Sequence, residues 1–263
     1  MFRRALLQAA ATTVALSFTT VAWAADLTVG ANVGNVPWEF QDESGAIVGF
    51  EVDLATEISK RLGREIKIEN VPFQGLFAAV QSGRIDMAMS SITITAKRLE
   101  SVSFAQPYYD SDQSLTVTAA SGIKSLADMK GKIVAVDTGS TGDIWATENQ
   151  AKYEFADIRR FEGLVPAMLD LAAGRIDGYI SDIPALQYYA KDKPEIVVAE
   201  RIPTGEQYSM MFNKDAPLAS EVNVIITALK EEGFVAATHE KWFGGAPDAA
   251  TSTANVMDMP KLN

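Results

Sequence analysis

The stretch SSITITAKR, residues 90–98, gathers hydroxyl side chains and closes on a guanidinium. Between Ser91 and Thr95 the polar residues alternate with Ile92 and Ile94, which predicts a half-buried strand. A guanidinium is a planar fork of donors that matches a carboxylate bidentately. Arg98 is therefore either ordinary surface charge or the group that holds an anionic ligand. A second stretch, DTGSTGD at 137–143, opens an expected helix. Its glycines and backbone N–H groups would suit an anion-binding turn at a helix N-terminus, and a plain hydroxyl-capped turn is the alternative. No lysine follows at phosphate-loop spacing, which argues against a nucleotide. The chain has one histidine, His239, expected on the surface of a C-terminal helix, and no cysteine. A typical zinc site and a hydrolase triad both lack members on that count. Binding, without cofactor or metal, is the chemistry these residue types support.

The elements that must carry these residues alternate between strand-like and helix-like runs. Strands are predicted at 27–32, 66–71, 87–91, 133–136, 158–161 and 178–181. Helices are predicted from Phe50 to a stop at Gly63, and at 74–81, 141–150, 164–172, 222–231 and 234–243. Such alternation implies parallel sheets with helices on both faces. An internal echo organises the chain: FQGLFAAVQSGRIDMAMSSI (73–92) and FEGLVPAMLDLAAGRIDGYISDI (161–183) share a start, a helix, Gly-Arg-Ile-Asp and a strand. Gly83 and Gly174 sit where a helix ends with positive φ. Two similarly built α/β lobes follow. Ligands of open α/β sheets bind outside the carboxyl ends of strands, so Ser90-Ser91 and Ser181-Asp182 are placed on facing cleft walls.

Arg3 and Arg4 precede an apolar run and Ala22-Trp23-Ala24, the layout of a signal peptide cleaved after Ala24. With no cysteine to carry a lipid, a free exported protein in a bacterial periplasm is expected. The formal net charge of -11 argues against a nucleic-acid partner, whose phosphates need Lys and Arg. The polar tail after Gly245 is expected to be loosely attached. Glu231-Glu232 reads as a solvated helix face, and Tyr108-Tyr109 and Tyr188-Tyr189 as packing or surface residues.

GFEVDLATEISKRLG (49–63), SSITITAKRLESVSFAQPYY (90–109) and EKWFG (240–244) resemble the motifs of the polar amino-acid solute-binding proteins, family 3, of ABC importers. Glutamine-binding and lysine/arginine/ornithine-binding members are the most alike, and Ser59 departs from the usual small apolar residue. The likeness spans about residues 26–245. It implies an α/β, two-lobed periplasmic binding protein fold, with two doubly wound sheets joined by two hinge strands near Asp110–Leu115 and Gly205–Met210. Lobe 1 would be 25–112 plus 208–263, and lobe 2 would be 113–207. It also implies roles. Arg98 and Thr93 would hold the ligand α-carboxylate, assisted by the amide of Thr141. The main-chain oxygen of Ser91 and the carboxylate of Asp182 would take the α-ammonium, and Phe73 would stack on the side chain.

Three departures bear on specificity. Asn35 stands at a usually aromatic position, which Trp38 would have to replace. Asn32 stands where relatives carry an aspartate, and Asp137 where the glutamine binder carries a lysine. An acid at 137 disfavours an acidic ligand side chain. The expected ligand is a neutral polar or cationic amino acid, or a hydroxyl-rich opine-like derivative. A monomer delivering it to an inner-membrane ABC permease is the leading reading. The alternatives are a cyclohexadienyl-dehydratase-like enzyme with Asp137 as acid, and a stand-alone amino-acid sensor.

Overall fold

Residues 25–262 are described in a computed structural model, and the expected signal peptide lies outside the described residues. The first strand, β1 (Leu27–Ala31), is buried at Leu27, Val29, Gly30 and Ala31, as befits a strand covered on both faces. A small hairpin, β2 (Phe40–Gln41) and β3 (Ile47–Val48), leads into α1 (Phe50–Leu62), whose buried Phe50, Leu54 and Ile58 form one helical face. The chain continues through β4 (Ile66–Asn70), α2 (Phe73–Gln81), β5 (Met87–Ala88), the single-turn α3 (Ala96–Leu99) and β6 (Val102–Phe104). It then enters the long β7 (Tyr109–Thr118).

Next come β8 (Ile133–Asp137), α4 (Thr141–Tyr153), β9 (Asp157–Phe161), α5 (Leu164–Ala172), β10 (Gly178–Asp182), α6 (Ile183–Ala190) and the long β11 (Ile196–Tyr208). The chain returns through β12 (Met211–Asn213), α7 (Pro217–Glu231) and α8 (Phe234–Phe243). One five-stranded sheet has the order β4-β1-β5-β12-β6 and the other β11-β7-β10-β8-β9. The chain crosses between lobes at the starts and ends of β7 and β11, which run antiparallel with Tyr109, Asp110 and Ser111 opposite Tyr208, Gln207 and Glu206. This two-strand ribbon is the hinge. Gly83 (φ 73°) and Gly174 (φ 67°) close the two echoing helices in the left-handed region, where a side chain is strained.

The structure differs from the sequence reading in several places. Ser91–Thr95 is not a strand: β5 ends at Ala88, Ser91 has φ 43°, and Thr93 makes only an isolated bridge to Tyr208. The cause is competition for its backbone. The Glu51 carboxylate takes the Ser91 N–H at 2.9 and 3.1 Å, which leaves only the single bridge bonds, Ile94 N–H to Gln207 O at 2.8 Å and Ser209 N–H to Ile92 O at 3.1 Å. Trp38 does not replace the missing aromatic wall. It is fully buried against Phe50, Tyr109, Tyr208 and Phe243 in the core of the first lobe. His239 is half-buried, stacked on Tyr109 at 5.6 Å, and α7 begins at Pro217, ahead of the predicted Val222. Burial lowers the His239 pKa.

The tail is also tied down, contrary to expectation. Ser252 and Thr253 are buried, Ser252 N–H donates to Asp110 Oδ2 at 2.7 Å, and Met257 N–H to Gln106 Oε1 at 3.0 Å. Buried Lys230 donates to Gln106 Oε1, Pro107 O and Asn255 O at 2.6–2.9 Å. Few large apolar residues are needed, because the attachment runs through backbone groups meeting buried polar side chains. Deleting residues 247–263 should cost about 2 kcal/mol from these bonds. In a chain of this size that is a fall of about 4–8 °C in melting midpoint. A midpoint unchanged in differential scanning calorimetry would show the tail to be a passenger.

Candidate functional site

A small cavity lies between the lobes. Every residue singled out from the sequence lines it: Asn32, Asn35, Phe73, Ser91, Thr93 and Arg98 from the first lobe, Asp137, Thr141 and Asp182 from the second. Ser90, Ser140, Leu164 and Ser181 complete the lining. The lobes meet across it, with Ser91 Oγ donating to Asp182 Oδ2 at 3.2 Å, Thr93 and Thr141 hydroxyls 3.4 Å apart, and Arg98 Nη2 donating to Gly139 O at 3.4 Å. This is a closed arrangement. Gly139 (φ 73°) permits it, since a Cβ there would stand 3.0 Å from Gln74 Cγ of the facing lobe.

Arg98 is set by local structure. The Thr95 side chain caps the single turn of α3 by accepting from Arg98 N–H at 3.1 Å. The guanidinium is buried, donates from Nη1 to Thr93 O at 2.7 Å, and lies over Phe73 (5.5 Å) and Phe77 (5.1 Å). Cation–π contact partly compensates for lost water. No carboxylate pairs with it within 4.0 Å among the described residues. Burial lowers its pKa to about 10, opposed by the charges of Glu206 and Asp182, so it remains a cation at neutral pH. A guanidinium has five donors, and most of these are left for a ligand.

Across the cavity, Ser140 caps α4 by accepting from Asp143 N–H at 3.0 Å. The first-turn N–H groups of α4, starting at Thr141, have no intrahelical acceptor and carry the positive end of the helix dipole. Asp182, at the end of β10, accepts from Gln113 Nε2 at 2.6 Å besides Ser91. Burial, then the charge of Glu206, raises its pKa to about 8. Asp137 ends β8 and accepts from Tyr179 OH at 2.6 Å through Oδ2, whereas its Oδ1 is buried with no partner. Burial raises the Asp137 pKa to about 6.

Beneath the lining lies a buried carboxyl pair. Glu39 Oε1 accepts from Ser90 Oγ at 2.6 Å and Asn35 Nδ2 at 3.3 Å, while Glu51 accepts from Ser91 N–H and Tyr108 OH. Burial first, then the charge of Glu51, holds the Glu39 pKa well above the usual carboxylate range, and burial raises that of Glu51. Asn35 also donates to Ser91 Oγ at 3.1 Å. The residue in the usual aromatic position thus joins a polar wall.

Sequence reasoning missed Glu206 and Gln113. Both are buried on the hinge strands, where they face the cavity network and each other at 3.0 Å. Glu51 was inside a quoted motif, and Glu39 carried no signal beyond its proximity to it.

Residues 27–245 match the family model described as bacterial extracellular solute-binding proteins, family 3. The arginine-binding extracellular protein ArtP of Bacillus subtilis is 30% identical over 83% of this chain and 86% of its own. The L-cystine-binding protein TcyJ of Escherichia coli is 31% identical over 83% and 82%. Among solved structures, an ancestral arginine-binding protein bound to arginine superposes with a TM-score of 0.79 at 32% identity, covering 83% of this chain and 98% of that one. Holo ArgBP from T. maritima gives 0.74 at 36%, covering 82% and 95%.

The raised Asp182 pKa makes a stability prediction. The folded state holds a proton that the unfolded chain releases near pH 4, so stability must fall as pH rises from about 4 to 8. Asp182→Asn should remove that part of the slope, narrowing the loss between pH 5 and pH 8 by at least about 1 kcal/mol. Parallel wild-type and variant urea-unfolding profiles over that range would contradict the assignment.

Proposed function

The chain belongs to the bacterial extracellular solute-binding proteins, family 3, and from that premise we propose that it captures a cationic amino acid between its closing lobes and hands it to an ABC permease. Arg98 and the amides opening α4 receive the α-carboxylate. The Ser91 carbonyl and Asp182 receive the α-ammonium, and Phe73 forms an apolar wall. The observation that carries the choice of ligand is Asp137, a buried carboxylate oxygen without a partner in a cavity that already holds an α-amino-acid clamp. One guanidinium faces Asp137, Asp182 and Glu206, so a cationic side chain balances the cleft better than a neutral or acidic one. The relatives named for binding arginine support the same choice. The expected route is export behind residues 1–24 and action as a periplasmic monomer.

A second reading, elimination catalysis on a cyclohexadienyl substrate, is favoured by the Asp137 carboxyl being poised near pH 6 in the cleft. Turnover of arogenate without protection by any amino acid would select it.

L-Arginine, L-lysine, L-histidine, L-cystine and L-glutamine should be compared by thermal shift. A true ligand at about 100 times its Kd stabilises by about 2.7 kcal/mol, or about 5–10 °C here. Arg98→Ala should weaken the best ligand by about 2–5 kcal/mol. Asp137→Asn should weaken cationic ligands by about 2 kcal/mol while sparing glutamine. Equal losses for both classes would remove Asp137 from the side-chain pocket. Because the ammonium needs Asp182 ionised, binding should release a proton below about pH 8, and affinity should rise from pH 6 to 8. Calorimetry in buffers of different ionisation enthalpy reads that proton directly.

A further inference from the structure

Glu206 belongs to neither wall of the cavity. It sits on the crossover part of β11, opposite Ser111, and is 7% exposed. Its Oε2 accepts from Thr93 Oγ1 of the first lobe at 2.7 Å and from Thr141 Oγ1 of the second at 2.9 Å. Its Oε1 accepts from Gln113 Nε2 at 3.0 Å, the amide that also serves Asp182. No cation lies within 4.0 Å of it among the described residues, so these three donors carry its desolvation.

A hydroxyl has one proton to give. With both protons committed to one carboxylate oxygen, Thr93 and Thr141 present lone pairs to the cavity, and a ligand carboxylate must draw its donors from Arg98 and the α4 amides. The two hydroxyls come from opposite lobes, so both reach Oε2 together only when the lobes are closed. Opening parts at least one of them from a buried charge.

We propose that Glu206 is a positioning residue of the closed state, a hinge carboxylate on which the hydroxyls of Thr93 and Thr141 converge to latch the two lobes. Glu206 itself lies outside the cavity lining, and the latch acts on the lifetime of closure rather than on encounter. Breaking charge-assisted bonds within a buried network changes dissociation more than association.

The test uses the full mature chain and L-arginine as probe, a choice that rests on the ligand proposed above. In stopped-flow measurements Glu206→Gln should speed dissociation about tenfold and leave association within about threefold. Thr141→Val should speed dissociation about threefold or more in the wild type, and less than about twofold once Glu206→Gln is present. An unchanged dissociation rate, or effects that multiply independently, would overturn the latch. Should the wild type fail to bind L-arginine, the ligand assignment falls and the latch remains testable without ligand. Thr93→Val and Thr141→Val should then each lower the melting midpoint of the wild type clearly more than that of Glu206→Gln. Equal decrements in the two backgrounds would overturn it.

Discussion

A guanidinium held out of water with no protein carboxylate to pair it is the constraint on which the rest of the structure depends. Arg98 can be buried only because its surroundings share the cost: the Thr93 carbonyl, the Phe73 and Phe77 rings, and the distant charge of Glu206. Each partner constrains a different element. The Thr95 cap orients α3, the absence of a strand at 91–95 frees the Thr93 carbonyl, and the close approach at Gly139 brings the second lobe to the cation. The donors left over give the cleft its affinity for an anionic head group.

Carboxylates are the counterpart of that cation, and there are more of them than it can balance. Burial raises the Glu39 pKa, keeps Asp182 protonated at neutral pH, and leaves Asp137 with an unused oxygen. Such groups lower the stability of the folded chain, and perturbed acids of this kind collect where a protein binds charge. The Glu39–Glu51 pair differs in purpose from Asp182. It supports Ser90, Ser91 and Asn35 from below and does not line the cavity, so it is part of the scaffold.

Legibility in the sequence followed the range of the interactions. Local rules found α5 and α8 at their observed bounds, and the left-handed helix ends at Gly83 and Gly174, because periodicity and capping act within a few residues. The echo of 73–92 in 161–183 led to two lobes, and the family resemblance led to nine residues that line the cavity between them. Alternation at Ser91–Thr95 misled, since the Glu51 carboxylate claims the Ser91 N–H and pairing with β11 is confined to one bridge. Trp38 misled for a related reason: an aromatic near a cleft residue in sequence turned inward to the first-lobe core.

Residue type and spacing by themselves determined the class of fold, the placement of Ser90-Ser91 and Ser181-Asp182 at equivalent edges of two lobes, and the likeness to a family that binds amino acids. Tertiary structure alone decided which carboxyls are buried, which hydroxyls have a proton to give, and that Glu206 and Gln113 stand between the lobes. It also decided that the polar tail would be held by Lys230, Gln106 and Asp110. The physical reason is distance along the chain. Thr93 and Glu206 are 113 residues apart and bonded at 2.7 Å, and no local pattern records a contact that only the hinge creates.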